Sequence, residues 1–136
     1  MMSTDSDLGL DAGYPALAPC VADIRRAVAE VATSCGAAQT TLVRIGLAVS
    51  EAATNVVLHA YRAPGTAAGL IHVTAACRGD RVLDVCVRDS GVGMSPRVDS
   101  PGLGLGISLM AHEADELKIR VCDDGGTAVH LRFALA

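Results

Sequence analysis

The chain's candidate chemistry begins with an acid and an amide on one predicted helix. Glu51 and Asn55 stand one helical turn apart in the sequence, so their side chains project from the same face of a helix. An asparagine side chain can offer an oxygen to Mg²⁺. We therefore expect the carboxylate and the amide to work as one unit.

A second carboxylate stands at the end of an apolar stretch. Asp89 closes a predicted strand, and Gly91 and Gly93 follow it. Glycine lets the backbone turn sharply and approach a flat ring closely. The pattern therefore predicts that Asp89 lies against an adenine base.

A third group consists of glycines in front of a predicted helix. Gly102, Gly104 and Gly106 precede a helical pattern that runs from Ile107 to Leu117. Free N–H groups and the positive dipole end make such a helix start suitable for phosphate. Each pattern alone is common, but the three together predict a nucleotide site without the lysine of a P-loop.

The composition indicates one soluble domain. With 136 residues, the chain has room for one core of ordinary size. Residues 1–7 are interpreted as a disordered leader and residues 8–136 as the single domain. A net charge of −4 without a run of Lys and Arg favours neither nucleic acid nor an anionic membrane surface. No uninterrupted apolar stretch approaches about 18 residues, so we expect a cytoplasmic protein.

The cysteines do not suggest a metal or disulfide scaffold. There are five, an odd number without a C-x-x-C pair, which argues against both a zinc site and a disulfide framework. We interpret them as small buried apolar residues or exposed free thiols: Cys20, Cys35, Cys77, Cys86 and Cys122.

Two further helices are indicated by apolar residues at helical spacing. The first begins near Pro19 and ends at Gly36. The second begins near Thr40 or Thr41 and carries the acid and amide pair.

Strands are indicated by alternating apolar and polar residues. They comprise a short strand at 8–14, a hairpin of 70–77 and 82–89, and later strands at 117–121 and 129–133. Such alternation is typical of an antiparallel sheet with one buried face and one solvated face. The prediction is an α/β fold, a two-layer sandwich of a mostly antiparallel sheet with helices on one face. Asp89 falls on the helix-covered face.

Three sequence boxes resemble a known family. The segments are S-E-A-A-T-N-V-V-L-H-A-Y at 50–61, D-S-G-V-G at 89–93 and G-L-G-L-G at 102–106. They resemble the GHKL ATP-binding fold, that of the histidine-kinase-like ATPases. The wording of the first box is most similar to the anti-sigma factor serine/threonine kinases of the RsbW type.

The resemblance implies ATP and Mg²⁺ as cofactors and gives the site residues their roles. Asn55 would coordinate the Mg²⁺ that bridges the phosphates, and Glu51 would orient or deprotonate the attacking hydroxyl. Asp89 would accept a hydrogen bond from the adenine amino group. Gly91 and Gly93 would line the base pocket. The phosphates would be wrapped by Gly102, Gly104 and Gly106.

The resemblance also implies protein partners. In this family the acceptor is a serine or threonine on an anti-anti-sigma protein of the STAS fold, the other partner is a sigma factor, and homodimers are common. Arg25 and Arg26 fall near the place of a family arginine that touches partners. The implied function is an ATP-binding anti-sigma factor with serine/threonine kinase activity.

Two alternatives stay open. The predicted lid at residues 94–101 is shorter than many family lids, and Arg97 is its one cation, the candidate for a contact with the γ-phosphate. This short lid allows a nucleotide-dependent interaction switch without kinase activity. A detached catalytic domain of the histidine-kinase type is the other alternative.

Overall fold

A computed structural model describes residues 9–61, 69–79, 81–91, 108–123 and 125–135. These residues form five strands and two long helices. The strands are β1 (Leu10–Pro15), β2 (Leu70–Arg78), β3 (Val82–Asp89), β4 (Glu116–Val121) and β5 (Thr127–Ala134). The helices are α1 (Ala18–Ser34) and α2 (Gln39–Asn55), and α2 continues as a π-helical segment, Val56–Ala60.

The strands form one antiparallel sheet in the order β1-β2-β3-β5-β4. Val73, Val87 and Val129 lie side by side across three of these strands and are buried. Because side chains alternate between faces along a strand, this register turns every apolar row toward one face. The predicted hairpin and the predicted alternation are confirmed.

Both helices cover that same apolar face. The buried core combines side chains of α1 and α2 with inward side chains of the sheet. Its members include Ile24, Val28, Ile45, Val49, Val85, Leu131 and the chain's one phenylalanine, Phe133. The structure therefore confirms the two-layer α/β sandwich with helices on one face.

Glycine ends α1, as predicted. Gly36 has a φ of 88°, a left-handed conformation that glycine adopts without steric cost. The N–H groups of Gly36 and Ala37 donate to the carbonyls of Thr33 and Ala32 at 3.0 Å each. These bonds satisfy carbonyls that the end of the helix would otherwise leave unpaired.

The predicted helix from Ile107 to Leu117 is wrong at its end. Helical residues are present at 108–113, and β4 already begins at Glu116. The Arg44 guanidinium of α2 donates two hydrogen bonds, of 3.0 and 2.7 Å, to the Glu113 carbonyl. This contact caps the helix, and Asp115 N–H then begins the pairing with β5 by donating to the Arg132 carbonyl at 2.8 Å.

The expectation that the cysteines form no disulfide is also wrong. Cys35, just after α1, and Cys77, near the end of β2, are joined by a disulfide with their Cα atoms 6.3 Å apart. Cys20, Cys86 and Cys122 are free and half-buried. The helix layer is thus linked covalently to the sheet.

One helical stretch, Gln39–Ala60, is long and apolar enough to cross a membrane by length and composition. A core helix of a soluble protein passes the same test. Here Ile45, Val49 and Val56 of this stretch belong to the core beneath the sheet.

Candidate functional site

Three buried polar side chains mark the candidate site. Asn55 is 4% exposed, Asp89 is 2% exposed and Thr127 is 1% exposed. Asn55 ends α2, Asp89 ends β3 and Thr127 begins β5. Burying a polar group costs free energy unless it finds a partner, so these three side chains form the polar part of a mostly apolar interior.

Helix α2 positions the acid and the amide. Asn55 lies among the buried residues Ala52, Ala53 and Val56, whereas Glu51 is half-buried. The two side chains stand one turn apart on α2, as the sequence predicts. The acid can therefore reach an incoming group while the amide faces the interior.

The Asn55 amide nitrogen, Nδ2, is buried and has no hydrogen-bond partner among the described residues. An unpaired buried donor costs about 1–3 kcal/mol. A phosphate oxygen would satisfy this donor, and the amide oxygen of the same side chain suits Mg²⁺. The amide thus fits the phosphate and metal end of a nucleotide.

The Asp89 carboxylate is held in a fixed orientation. Its Oδ1 accepts a hydrogen bond of 2.8 Å from the Gly91 N–H, a turn that aspartate commonly forms with the residue two positions later. Oδ2 is shielded from solvent. An acceptor placed in this way is suited to the amino group of a base.

Two glycines allow close approach of backbone around Asp89. A Cβ on Gly91 would overlap the carbonyl of Ala60, and a Cβ on Gly126 would overlap the carbonyl of Asp89. Gly91 therefore has a packing role in the described structure, and its contact with a base stays a prediction.

Tyr61 ties the same region together. Its hydroxyl accepts from the Ser90 N–H at 3.0 Å and donates to the Leu70 carbonyl at 2.8 Å. The tyrosine closes the 50–61 box, directly after the π-helical segment. The end of this helix is thereby fixed to the exit of β3 and the entrance of β2.

Thr127 is a candidate site residue that the sequence analysis did not predict. The β3–β5 register runs to Arg88 opposite Ala128, so the next position brings Thr127 beside Asp89. A signal was present: inward positions of β5 are otherwise apolar, and a hydroxyl at the first of them, after Gly125 and Gly126, breaks that pattern.

Part of the predicted site lies outside the described residues. This applies to Gly93, Arg97, Gly102, Gly104 and Gly106, whose roles stay predictions. Within the described ranges, no group of three or more His, Cys, Asp or Glu side chains could hold a metal ion. Asn55 is the predicted metal ligand that the structure does describe.

The two arginines predicted to touch partners lie on the exposed side of α1. Arg25 Nη1 donates to Ser50 Oγ at 3.2 Å, directly before the predicted base Glu51. Arg26 pairs with Asp23 at 3.2 Å. Their role toward a partner stays a prediction.

Fold and site together define an ATP-binding domain of known class. Residues 14–133 match the histidine kinase-like ATPase domain, and the chain belongs to this family. The resemblance to the GHKL fold is thereby confirmed, and ATP binding follows from the family.

Two similar proteins bear the name anti-sigma F factor. The chain is 25% identical to the anti-sigma F factor of Priestia megaterium over 119 residues, 79% of this chain and 80% of that protein. It is 30% identical to the anti-sigma F factor of Heyndrickxia coagulans over 99 residues, 65% of this chain and 66% of that protein.

Two solved structures share the fold. The RsbU and RsbW domains of Rv1364c from Mycobacterium tuberculosis match with a TM-score of 0.73 and 26% identity, over 93% of this chain and 32% of that chain. This chain thus spans about a third of that protein. The histidine kinase domain of the blue-light activated kinase from Erythrobacter litoralis matches with a TM-score of 0.59 and 26% identity, over 82% of this chain and 65% of that chain.

Proposed function

We propose that this protein is a cytoplasmic anti-sigma factor that binds ATP, phosphorylates a serine or threonine of an anti-anti-sigma STAS protein and sequesters a sigma factor. The observation that carries the proposal is the buried Asn55 Nδ2, which has no hydrogen-bond partner among the described residues and lies on the helix-covered side of the sheet, as the buried Asp89 carboxylate does. The name anti-sigma F factor, borne by two similar proteins, supports the regulatory role.

Asp89 would select adenine. Its carboxylate, held by the Gly91 N–H, offers an acceptor to an amino group. Guanine has a carbonyl at the corresponding position, so a buried acceptor would face another acceptor. That mismatch costs roughly 1–3 kcal/mol or more, and ATP should therefore bind more tightly than GTP.

Asn55 would hold the phosphate end. Its amide nitrogen can donate to a phosphate oxygen, and its amide oxygen can ligate Mg²⁺. The bound ion would neutralise part of the phosphate charge. Because phosphoryl transfer depends mostly on positioning and charge stabilisation, a helix that continues past Asn55 is a suitable support for this residue.

Glu51 would act on the acceptor hydroxyl. The carboxylate is half-buried, so a serine side chain of a partner protein can approach it. It would accept the hydroxyl proton as the serine oxygen forms its bond to the γ-phosphorus and the bond from that phosphorus to the β–γ bridging oxygen breaks, with ADP as the leaving group. The arrangement requires the partner to dock beside α2.

Arg25 and Arg26 would provide part of that docking surface. Arg25 reaches Ser50 from α1, so a partner that binds this arginine would lie next to Glu51. Arginine suits such a role because its fixed fork of donors matches carboxylates. A homodimer would present two such surfaces.

The decisive test replaces the predicted base. Glu51→Gln should retain ATP affinity and lose transfer of labelled phosphate from ATP to a STAS protein of the same genome by about 10²–10⁴-fold, the usual contribution of a general base. Glu30→Gln, an exposed position on α1, is the matched control and should transfer at the normal rate. Unchanged transfer by Glu51→Gln would remove Glu51 from the mechanism.

The switch without transfer activity is the second candidate function. It is favoured by the short segment 94–101 with Arg97 as its one cation. If the wild-type chain binds ATP and captures a sigma factor in an ATP-dependent manner but phosphorylates no STAS protein of its genome, this function replaces the kinase.

A further inference from the structure

The open face of the sheet, opposite the helices, contains a broad concavity. Its volume is ≈ 820 Å³, and strands β2, β3, β5 and β4 line it. A row without carboxylates crosses its middle, where Cys86 lies between Thr74 and His130 in register. Burial raises the pKa of the Cys86 thiol, so this row is uncharged at Cys86.

The charges that line the concavity are predominantly positive. Its lining includes four cations and two carboxylates, in a chain whose net charge is −4. The carboxylates are already shared: Asp84 accepts from Arg78 at 2.8 Å and from Arg132 at 2.9 Å, and Glu116 lies 3.4 Å from Arg132. These ion pairs involve neither of the two cations of β4.

Lys118 and Arg120 are those two cations. Both are exposed, and neither has an acidic partner in the part of the chain that the structure describes. They alternate along β4, so their Cα atoms are about 7 Å apart and their side chains point to the same face. An extended peptide repeats its same-side residues at the same spacing.

The spread of the cations defines the shape of the ligand. β2 and β4 are three strands apart in the sheet, which corresponds to about 14 Å. One phosphate-sized anion does not fill a concavity of this width, and a ligand that pairs with both Lys118 and Arg120 follows β4 as an extended polyanion. Among the residues that the structure describes, no Phe, Tyr or Trp lines the concavity, so bases of a nucleic acid would find no aromatic ring of that kind there for stacking.

We infer that this open face binds an extended segment of a partner protein that is rich in Asp and Glu. Alternate carboxylates of the segment pair with Lys118 and Arg120, and its backbone follows β4 past the row that Cys86 and His130 form in register. The surface lies on the opposite side of the sheet from Asn55 and Asp89. It is therefore a second binding surface, separate from the proposed nucleotide and phosphoryl-transfer site.

The test uses a dye-labelled peptide of alternating Glu and Ala, with fluorescence anisotropy of the full chain as the readout. Binding should weaken as salt is added, because exposed charges are screened. Lys118→Gln with Arg120→Gln should weaken binding about five- to thirty-fold, since each exposed ion pair contributes up to about 1 kcal/mol. Lys118→Arg with Arg120→Lys keeps both charges and should bind within about two-fold of wild type.

Net charge needs its own control. Thr33→Glu with Gln39→Glu changes the net charge by the same amount at exposed positions of the helix layer, and this variant should bind the peptide within about two-fold of wild type. Affinity for ATP should be the same in all three double variants.

Several results would overturn the inference. One is equal peptide binding by wild type and by Lys118→Gln with Arg120→Gln, and another is absence of peptide binding at low salt. Tighter binding of an oligouridylate of equal charge would make the ligand a nucleic acid. Sedimentation that shows a dimer dissociated by the same double substitution would make it a second copy of this chain.

Discussion

Two aspartates of one strand show how differently the two faces of the sheet use charge. Asp84 and Asp89 both belong to β3, but their odd separation turns them to opposite faces. Asp89 is buried on the helix-covered face, whereas the Asp84 side chain is 25% exposed and lies between Arg78 and Arg132 on the open face.

The difference separates a charge that contributes to the stability of the fold, Asp84, from one that we propose to serve a ligand, Asp89. A carboxylate near water with two arginine partners contributes a little stability and requires nothing more. A buried carboxylate is costly unless it is paired or hydrogen-bonded, and Asp89 accepts a hydrogen bond from the Gly91 N–H. The covered face therefore carries the candidate chemistry, and the open face carries an electrostatic surface.

The largest effect on the free energy of unfolding should come from the Cys35–Cys77 disulfide, which joins the helix layer to the sheet. Cys35→Ser with Cys77→Ser should lower the free energy of unfolding by about 2–4 kcal/mol, the usual effect of losing a disulfide. Urea denaturation with and without reductant measures it. Reductant should destabilise the wild type to the same extent and leave the double variant unchanged.

Cys86→Ser is the matched substitution on the open face. Because Cys86 is a free, half-buried thiol, its loss should change the free energy of unfolding by less than about 1 kcal/mol. If reductant leaves the unfolding midpoint of the wild type unchanged, the Cys35–Cys77 disulfide does not stabilise the fold.

The two aspartates can be compared directly in nucleotide binding. Asp89→Asn should weaken ATP binding roughly 10- to 150-fold, because a hydrogen bond to a charged acceptor is worth about 1.5–3 kcal/mol. Asp84→Asn, on the other face of the same strand, should leave ATP affinity unchanged. Calorimetric titration measures the ATP affinity of both variants. If Asp89→Asn and Asp84→Asn bind ATP equally well, Asp89 does not bind the adenine.

The next largest effect on stability should come from the close backbone packing at Gly91 on the covered face. Gly91→Ala would place a Cβ against the Ala60 carbonyl, and overpacking of this kind costs about 1–3 kcal/mol. Gly79→Ala is the control, since a Cβ there meets nothing within 4 Å. Thermal unfolding compares the two, and similar midpoints would mean that the segment after β3 moves to accept the methyl group.

The sequence predicted the two-faced sheet because alternation is a local property. Each inward residue of β2 and β3 could be assigned from its neighbours, and the position of Asp89 followed from the same alternation. The acid and amide pair on α2 was equally local, since one helical turn separates Glu51 and Asn55.

Features that depend on distant parts of the chain were not predictable in this way. The end of the helix at 108–113 is set by Arg44, which reaches it from α2. The Cys35–Cys77 link joins residues separated by 42 positions, and no spacing rule reveals that they meet. In the sequence, Thr127 is only one polar residue in a row of apolar ones, which is a weak sign of a site. Its place beside Asp89 follows only from the register of β3 and β5.

The smallest effect should belong to the ion pairs of Asp84, and it should depend on pH. Burial by itself would raise the pKa of Asp84, but the hydrogen bonds and charges of Arg132 and Arg78 outweigh it and hold the pKa below the ordinary 3.8. A lowered folded-state pKa means that the ionised carboxylate stabilises the fold above pH 3.8, and this contribution is lost as the pH falls through the folded-state value.

Asp84→Asn should therefore lower the free energy of unfolding by about 0.2–1 kcal/mol at pH 7, the range for exposed ion pairs. The difference from wild type should shrink with added salt and disappear once the pH lies below the folded-state pKa of Asp84. Asp123→Asn, at an exposed position between β4 and β5, should change stability at neither pH. A loss in Asp84→Asn that persists in strong acid would mean that Asp84 stabilises the open face through packing and not through its charge.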